Sequence, residues 1–437
     1  MQEEIAAFWF RRDLQLHDNA ALTHALQSGR QVLCVFIFDK NILSRLEDKK
    51  DNRVIFIHRQ LQQINDELKK YRSALKVIYG TPLDAWKILL KEYSIYSVYA
   101  NHDYEPYARE RDQQVADFLS TNKCSFHSFK DQVIFEKDEV TKEDGLPYTV
   151  FTPYMKKWRA KAIDEKSNFL KSFSTEKYFS NFIKTKHEPF LSLAEIEFKD
   201  VAFDFPVPLL DKNLIRKYAE TRNTPGIEGT SRLGIHLRFG TVSIRELVRK
   251  AWTLSDVWIN ELIWREFFMQ VLWHFPHVAE HAFKKEYERL KWKNDEKKFE
   301  KWCNGETGYP IVDAGMRELN ETGFMHNRVR MITACFLTKY LLIDWRWGEA
   351  YFAQKLLDYE LASNNGNWQW SAGTGCDAAP YFRIFNMDAQ TKKFDPNFVY
   401  IKKWVPEYQE LTYPKPIVDY EAARMRCILF YKNGLQR

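Results

Sequence analysis

Five short apolar runs in the first 130 residues constrain the fold more than any other feature of the sequence. Amphipathic stretches such as residues 53–71 separate them, and each run has the length of a single strand. The runs are IAAFWF (5–10), VLCVFIF (32–38), LKVIYG (75–80), YSVYAN (96–101) and SFHSF (125–129). Buried strands that alternate with helices are typical of a parallel sheet covered by helices on both faces. We therefore expect an α/β domain over residues 1–130, without the GxGxxG pattern of a dinucleotide site.

The sequence pattern changes twice after this domain. Residues 131–200 are polar and rich in lysine, and we expect them to form a long interdomain connection. Beyond residue 200 apolar residues recur at helical spacing, as in 257–275, 310–323 and 328–343. The sequence thus predicts an all-helical second domain over residues 201–437.

Composition excludes several classes of protein. No apolar run approaches the roughly 20 residues that a membrane helix needs, and the first residues, MQEEIAAFWF, carry acids where a signal peptide carries positive charge. We therefore expect a cytoplasmic protein. The six cysteines form no CxxC pair, so neither zinc nor another metal is expected. A net charge of +6 permits an anionic partner such as DNA without requiring one.

Tryptophan is concentrated in the second half of the chain, where eleven of the 14 indoles lie after residue 250. The most unusual stretch is DYELASNNGNWQWSAGTG (358–375), which contains Trp368 and Trp370. The amides that precede these rings lie beside a glycine, and we expect that part to be irregular because Asn is a common turn residue. A single Trp on a helical face, like a single Met such as Met331, is more often a core residue than a functional one.

The segment EGTSRLGIHLRFG (228–240) has the features of a helix N-terminus. Thr230 and Ser231 are good capping residues, and Arg232 follows in the expected first turn. Free N–H groups, two hydroxyls and a guanidinium suit a diphosphate. An ordinary capped helix explains the same residues.

Arg330 and Asp358 are a candidate ion pair between two predicted helices. A buried pair of this kind contributes little to stability but can hold a site in register. An ordinary salt bridge between helices is an equally good interpretation.

These segments, in this order, resemble the DNA photolyase/cryptochrome family. The resemblance runs from FWFRRDLQLHDNAAL (8–22) to about residue 405. Its most specific blocks are NELIWREFF (260–268), GYPIVDAGMRELNETGFMHNRVRMITACFL (308–337) and DYELASNNGNWQWSAGTGCDAAPYFRIFN (358–386). It implies a Rossmann-like parallel-sheet antenna domain, a linker and an all-helical FAD-binding domain.

The resemblance also assigns residues to FAD. By their match to the family motifs, the FAD phosphates would lie near Tyr218, Thr230, Ser231, Arg232 and Leu233. Arg330 and Asp358 match the ion pair beside the flavin, with Glu360 nearby. Asn364 matches the residue that faces flavin N5, where an amide can accept from N5–H without adding negative charge.

Further matches imply an electron path and a DNA lesion site. Trp292, Trp345 and Trp368 match the chain of tryptophans that carries an electron from the surface to the excited flavin. Trp264 and Trp370 match the rings that clamp a flipped-out pyrimidine dimer. Polar or apolar contacts to the dimer are implied for Glu261, Asn327 and Met331, and phosphate contacts for Arg222, Arg265, Arg328 and Arg383.

The dimer-facing residues imply one subfamily. Relatives that repair the (6-4) photoproduct place histidines at the positions of Asn327 and Met331, and DASH-type relatives place tyrosine at the positions of Trp264 and Trp370. We therefore expect a monomeric cyclobutane-dimer photolyase of the class I type, acting on UV-damaged DNA. The alternative is a cryptochrome-type blue-light photoreceptor with FAD. A second antenna chromophore would be methenyltetrahydrofolate, a deazaflavin or a flavin, and the residues do not choose among them.

Overall fold

The computed structural model describes residues 3–164, 171–185 and 189–436. Its sheet has five parallel strands in the order β3-β2-β1-β4-β5. The strands are β1 (Ile5–Phe10), β2 (Val32–Asp39), β3 (Leu75–Gly80), β4 (Ile95–Asn101) and β5 (Ser125–Phe129). All five apolar runs are therefore strands, and the expected α/β sheet is confirmed.

Burial differs between the centre and the edges of this sheet. Every residue of β1 and β2 is buried, because these strands are paired on both sides and covered on both faces. Along β1, Ile5, Ala7 and Trp9 belong to one apolar cluster with residues of two helices, α4 (Pro82–Glu92) and α5 (Pro106–Thr121). The expectation of a buried strand is wrong for β3 and β5, which are edge strands and mostly half-buried.

The remaining helices before residue 200 are α1 (Ala20–Leu26), α2 (Lys40–Leu43), α3 (Asn52–Lys69) and α6 (Phe151–Asp164). The predicted amphipathic stretch at 53–71 is α3, whose N-terminus is capped by the Asp51 carboxylate. A 14-residue helix, α6, lies within the segment expected to be a connection. The polar composition of residues 131–200 therefore did not predict the helix within them.

Contacts divide the chain into two compact units that are not consecutive in sequence. One unit comprises residues 1–136, 161–210 and 232–250, and the other comprises 137–160, 211–231 and 251–437. The expected boundaries near 130 and 200 do not coincide with this division. Parts of the expected connection belong to each unit.

The second part of the chain is helical, as its periodicity predicts. The helices are α7 (Lys212–Thr221), α8 (Gly234–Phe239), α9 (Ile244–Ala251), α10 (Asp256–His274), α11 (Glu296–Asn304), α12 (Pro310–Thr322), α13 (Asn327–Cys335), α14 (Trp345–Lys355), α15 (Leu361–Ala372), α16 (Met387–Phe394), α17 (Val399–Trp404) and α18 (Tyr420–Leu435). Among residues 3–164, 171–185 and 189–436, none of the helices is long and apolar enough to cross a lipid bilayer.

Two expectations about local structure differ from the structure. The run 328–343 is not one helix, because α13 ends at Cys335 and a buried π-helical turn follows at Phe336–Tyr340. The stretch expected to be irregular around Asn364 is instead the middle of α15. The amides of Asn364 and Asn365 donate to Glu349 and to the Ala279 carbonyl, outside α15, so their turn propensity does not decide the local structure.

Candidate active site

A cavity of about 330 Å³ lies in the second unit, between residues of α10, α13, α14 and α15. Mixed polar and apolar side chains line it. It brings together twelve of the residues singled out from the sequence: Arg222, Glu261, Trp264, Arg265, Asn327, Arg330, Met331, Asp358, Glu360, Asn364, Trp368 and Trp370. Residues more than a hundred positions apart thus share one space.

The expected ion pair between Arg330 and Asp358 is present at the cavity wall. Arg330 Nη2 donates to both carboxylate oxygens of Asp358, at 2.9 and 3.1 Å. Arg330 Nε donates to the Met325 carbonyl oxygen at 2.7 Å, which fixes the plane of the guanidinium. Both side chains are about one quarter exposed and line the cavity. The pair therefore presents a fixed charge arrangement to the cavity and is more than a link between helices.

Asn364 is oriented by a residue that the sequence did not single out. Its Nδ2 donates to Glu349 Oε1 at 2.9 Å and to the Glu349 carbonyl oxygen at 3.1 Å. Burial raises the pKa of the Glu349 carboxyl to about 7, against the lowering effect of the Asn364 hydrogen bond. Because both Nδ2 hydrogens are engaged, Asn364 Oδ1 is left as an acceptor at the cavity. No spacing or motif marks Glu349, which is 15 positions from its partner.

The two tryptophans of α15 diverge because residues two apart on a helix point about 200° apart. Trp368 is 2% exposed and belongs to the apolar core of the second unit. A Cβ at Gly348 would overlap the Trp368 ring, so only glycine allows α14 to pack this close. Between the two indoles, the Gln369 amide donates to the Val278 and His281 carbonyls at 3.0 and 3.1 Å. Gln369 thereby fixes the rotation of α15, and with it the direction of each ring.

Trp264, on α10, is packed by aromatic rings, of which Phe268 also lines the cavity and Phe151 does not. Phe151, the first residue of α6, stacks on it with a centroid separation of 3.6 Å and an interplanar angle of 6°. Phe268 lies 5.4 Å away at 29°. Phe268 in turn occupies the space that a Cβ at Gly366 would need. Sequence reasoning missed Phe151, which has no periodic relation to Trp264.

Charged residues meet at the α10 and α13 side of the cavity. Arg222 Nη1 pairs with Glu261 Oε1 at 2.5 Å. Burial raises the pKa of Glu261, and the Arg222 cation opposes that rise. Arg328 donates through Nη2 to Asn223 Oδ1 at 2.7 Å, and its pKa is lowered by burial and by neighbouring cations. Arg383 is exposed, with its guanidinium 6.0 Å from the Trp370 ring.

The residues expected at the FAD phosphates do not line this cavity. Helix α8 begins at Gly234 and is preceded by Leu233, so Thr230 and Ser231 do not cap it and Arg232 is not in its first turn. Arg232 adopts a left-handed backbone with φ 49°. The helix-cap interpretation is therefore wrong. Tyr218 lies on α7, with the Arg222 guanidinium 5.6 Å from its ring.

The other two tryptophans of the expected electron path lie in or against the same core as Trp368. Trp345 is 1% exposed, and its Nε1 has no hydrogen-bond partner among the described residues. Trp292 is partly buried and packs against this core. Its ring lies 5.3 Å from Phe430 and 6.1 Å from Tyr431.

The cavity suits a flavin on chemical grounds. Arg330, Asp358 and Asn364 supply polar groups for the edge of a heterocycle, and Phe352 and Leu356 supply apolar surface for its faces. Within the described residues, no group of three or more His, Cys, Asp or Glu side chains is placed to hold a metal ion.

Two family sequence models match the chain. The model described as DNA photolyase covers residues 6–171, and the model described as the FAD binding domain of DNA photolyase covers residues 258–412. A deoxyribodipyrimidine photo-lyase from Alkalihalophilus pseudofirmus is 36% identical over 99% of this chain and 98% of its own. The chain belongs to the DNA photolyase family. It is therefore an enzyme of the photo-lyase type, and FAD is the cofactor of its helical domain.

Solved structures of the DNA photolyase family and its cryptochrome branch share the fold. A class III photolyase from Agrobacterium tumefaciens is 30% identical with a TM-score of 0.87, covering 99% of this chain and 98% of that one. A cryptochrome from Synechocystis is 26% identical with a TM-score of 0.85, covering 98% and 99%. An archaeal photolyase from Sulfolobus tokodaii that holds two FAD molecules is 32% identical with a TM-score of 0.78, covering 98% and 100%. The last is consistent with a second chromophore in the family, and its identity in this chain stays open.

Proposed function

We propose that this enzyme repairs cyclobutane pyrimidine dimers in DNA, using light and an electron transferred from FAD to a flipped-out dimer. The observation that carries the proposal is the composition of one cavity. Trp264, Trp370 and Met331, which match the dimer-facing positions of the family, line the same space as Asn364 and the Arg330–Asp358 pair. The lesion and the cofactor would then meet without an intervening protein layer. The class I assignment rests on the dimer-facing residues alone.

Bound FAD would supply the light absorption and the transferred electron. The chain supplies its placement and its charge environment. The Arg330–Asp358 pair holds the flavin-facing wall in one arrangement. Asn364, with its amide oriented by Glu349, offers Oδ1 as an acceptor rather than a charge. An acceptor without charge suits a reduced flavin that is already anionic.

The opposite wall suits a dimer. Trp264 and Trp370 supply aromatic surface that stacks on either pyrimidine. Glu261 and Asn327 supply polar groups for the base edges. A flipped dimer costs less to extrude than a normal pair, because its pairing is already damaged. Arg222, Arg265, Arg328 and Arg383 would bind the DNA phosphates around it.

Reduction of the oxidised cofactor would proceed by electron transfer through the tryptophans. Trp368 lines the cavity and Trp345 lies in the same apolar core. Trp292, only partly buried, would exchange the electron with the surroundings.

A photoreceptor role is the rival, since the Synechocystis cryptochrome has nearly the same fold. Fold alone does not separate the two functions. A photoreceptor does not need the aromatic clamp or the phosphate-binding arginines. Salt-sensitive preference for UV-irradiated over undamaged DNA would favour the photo-lyase.

The decisive experiment is repair of a defined lesion. The reduced holoenzyme is mixed with an oligonucleotide that carries one thymine cyclobutane dimer, and intact thymine is followed by chromatography in blue light and in darkness. Repair only in light is expected. It should be lost in Trp264→Ala and kept in Trp404→Phe, which changes an indole outside the cavity. No repair by protein that holds reduced FAD would overturn the proposal and favour the photoreceptor.

A further inference from the structure

Phe151 lies directly behind Trp264, outside the cavity. The two rings are parallel within 6° and 3.6 Å apart at their centroids. Phe151 is 8% exposed and also meets Phe267 edge-on, with a centroid separation of 5.9 Å and an angle of 77°. The Phe151 ring therefore stacks on one face of the Trp264 indole.

The position of Phe151 is held through its main chain. Phe151 begins α6, and its backbone N–H donates to Asp377 Oδ2 at 3.0 Å. Asp377 lies close to Trp264 and Trp370, because the three residues line one small apolar cavity. A free helix N–H is thus satisfied by a carboxylate that comes from the loop after α15.

The covered face decides how Trp264 can meet a ligand. A base cannot stack on the side that Phe151 occupies, so the dimer has only the other face and the edge of the indole. The stack also prevents the indole from rotating about its side-chain bonds, since rotation would break the parallel contact. Because the indole is already ordered before binding, less conformational entropy is lost when the ligand binds, and binding is tighter.

We propose that Phe151, anchored by Asp377, is a positioning residue that fixes the plane of Trp264 for recognition of the dimer. The inference rests on the proposed function, because it concerns the same lesion. Phe151 lies outside the cavity proposed for the lesion and the cofactor. Its effect is expected on discrimination between dimer-containing and undamaged DNA, and not on the repair step within the bound complex.

The test compares the dark affinity of the holoenzyme for one oligonucleotide with and without a single dimer. Phe151→Leu keeps apolar volume but removes the stack, and we expect the ratio of the two affinities to fall about three- to tenfold. Phe151→Tyr keeps the ring and should restore the ratio. Phe299→Leu removes a ring of the same size from α11, away from Trp264, and should leave the ratio unchanged.

Further readouts separate positioning from general damage. The flavin absorbance and the repair yield at saturating DNA should be the same in Phe151→Leu and in the unmodified enzyme. If Phe151→Leu does not fold, Asp377→Ala removes the anchor while leaving the ring, and Asp377→Asn keeps an acceptor oxygen. We then expect a lower ratio in the first and an unchanged ratio in the second.

The measurements distinguish a failure of the proposed function from a failure of the positioning role of Phe151. An unmodified enzyme with no preference for the dimer overturns the proposed function. A normal preference that Phe151→Leu and Asp377→Ala both retain overturns the positioning role alone.

Discussion

Asn364 and Glu349 are joined by two hydrogen bonds, from Asn364 Nδ2 to the side chain and to the main chain of Glu349, at 2.9 and 3.1 Å. The double contact determines which end of the amide faces the cavity. It also places a carboxyl, whose pKa is raised to about 7 by burial, beside a residue that lines the cavity proposed for the flavin. Glu349 therefore orients Asn364 and is itself a carboxyl that titrates near neutral pH.

Glu349→Gln should change how stability depends on pH. Below about pH 4.5 both the folded and the unfolded chain hold the proton. Between pH 4.5 and 7 the unfolded chain releases it while the folded chain keeps it, so stability falls as pH rises through this window. The difference between the two pKa values corresponds to about 3 kcal/mol of unfolding free energy. Denaturation at pH 5 and pH 8 should show this loss for the native chain relative to the variant, and parallel pH profiles of the two would contradict it.

Asn364→Asp should make reduction of the bound flavin less favourable. The aspartate would add a negative charge beside an anionic reduced flavin and beside the Glu349 carboxyl. We expect a cost of about 1–3 kcal/mol, seen as a more negative reduction potential. Spectroscopic titration with a reference dye measures it. Asn364→Gln keeps an amide, and a potential as negative as that of the aspartate variant would show that charge is not the cause.

The strands and most helices could be predicted from the sequence, because apolar periodicity reports burial directly. The π-helical turn after Cys335 and the helical state of Asn364 could not. For Asn364, a contact outside its own helix, the hydrogen bond to the Glu349 carboxyl, supports the helical state. Residues that match the family motifs form most of the cavity lining. The motifs did not reveal Phe151 behind Trp264, since a stack between residues 113 positions apart leaves no local pattern.

Gly348→Ala should destabilise the second unit and displace Trp368. An added methyl group would overlap the Trp368 ring, which is enclosed by core side chains. Overpacking of this kind costs about 1–3 kcal/mol. Gly80→Ala is the control, because a Cβ there meets nothing within 4 Å. Its effect should stay within about 0.5 kcal/mol. Chemical unfolding, monitored by the summed fluorescence of the 14 tryptophans, measures the stability of both variants. A loss in Gly348→Ala no larger than that in Gly80→Ala would contradict the prediction.

Arg383→Gln should weaken DNA binding in proportion to the loss of one phosphate contact. Arg383 is exposed beside Trp370, where its cation would reach the backbone of DNA if the lesion occupies the cavity as proposed. Each such contact on duplex DNA contributes about 0.9 to the slope of log affinity against log salt concentration. Fluorescence anisotropy across a salt series should therefore give a slope smaller by about 0.9 for this variant. Arg424→Gln removes the same charge from α18, where Glu421 lies 4.0 Å away, and should leave the slope unchanged. Equal slopes for Arg383→Gln and the native chain would remove Arg383 from the DNA-binding surface.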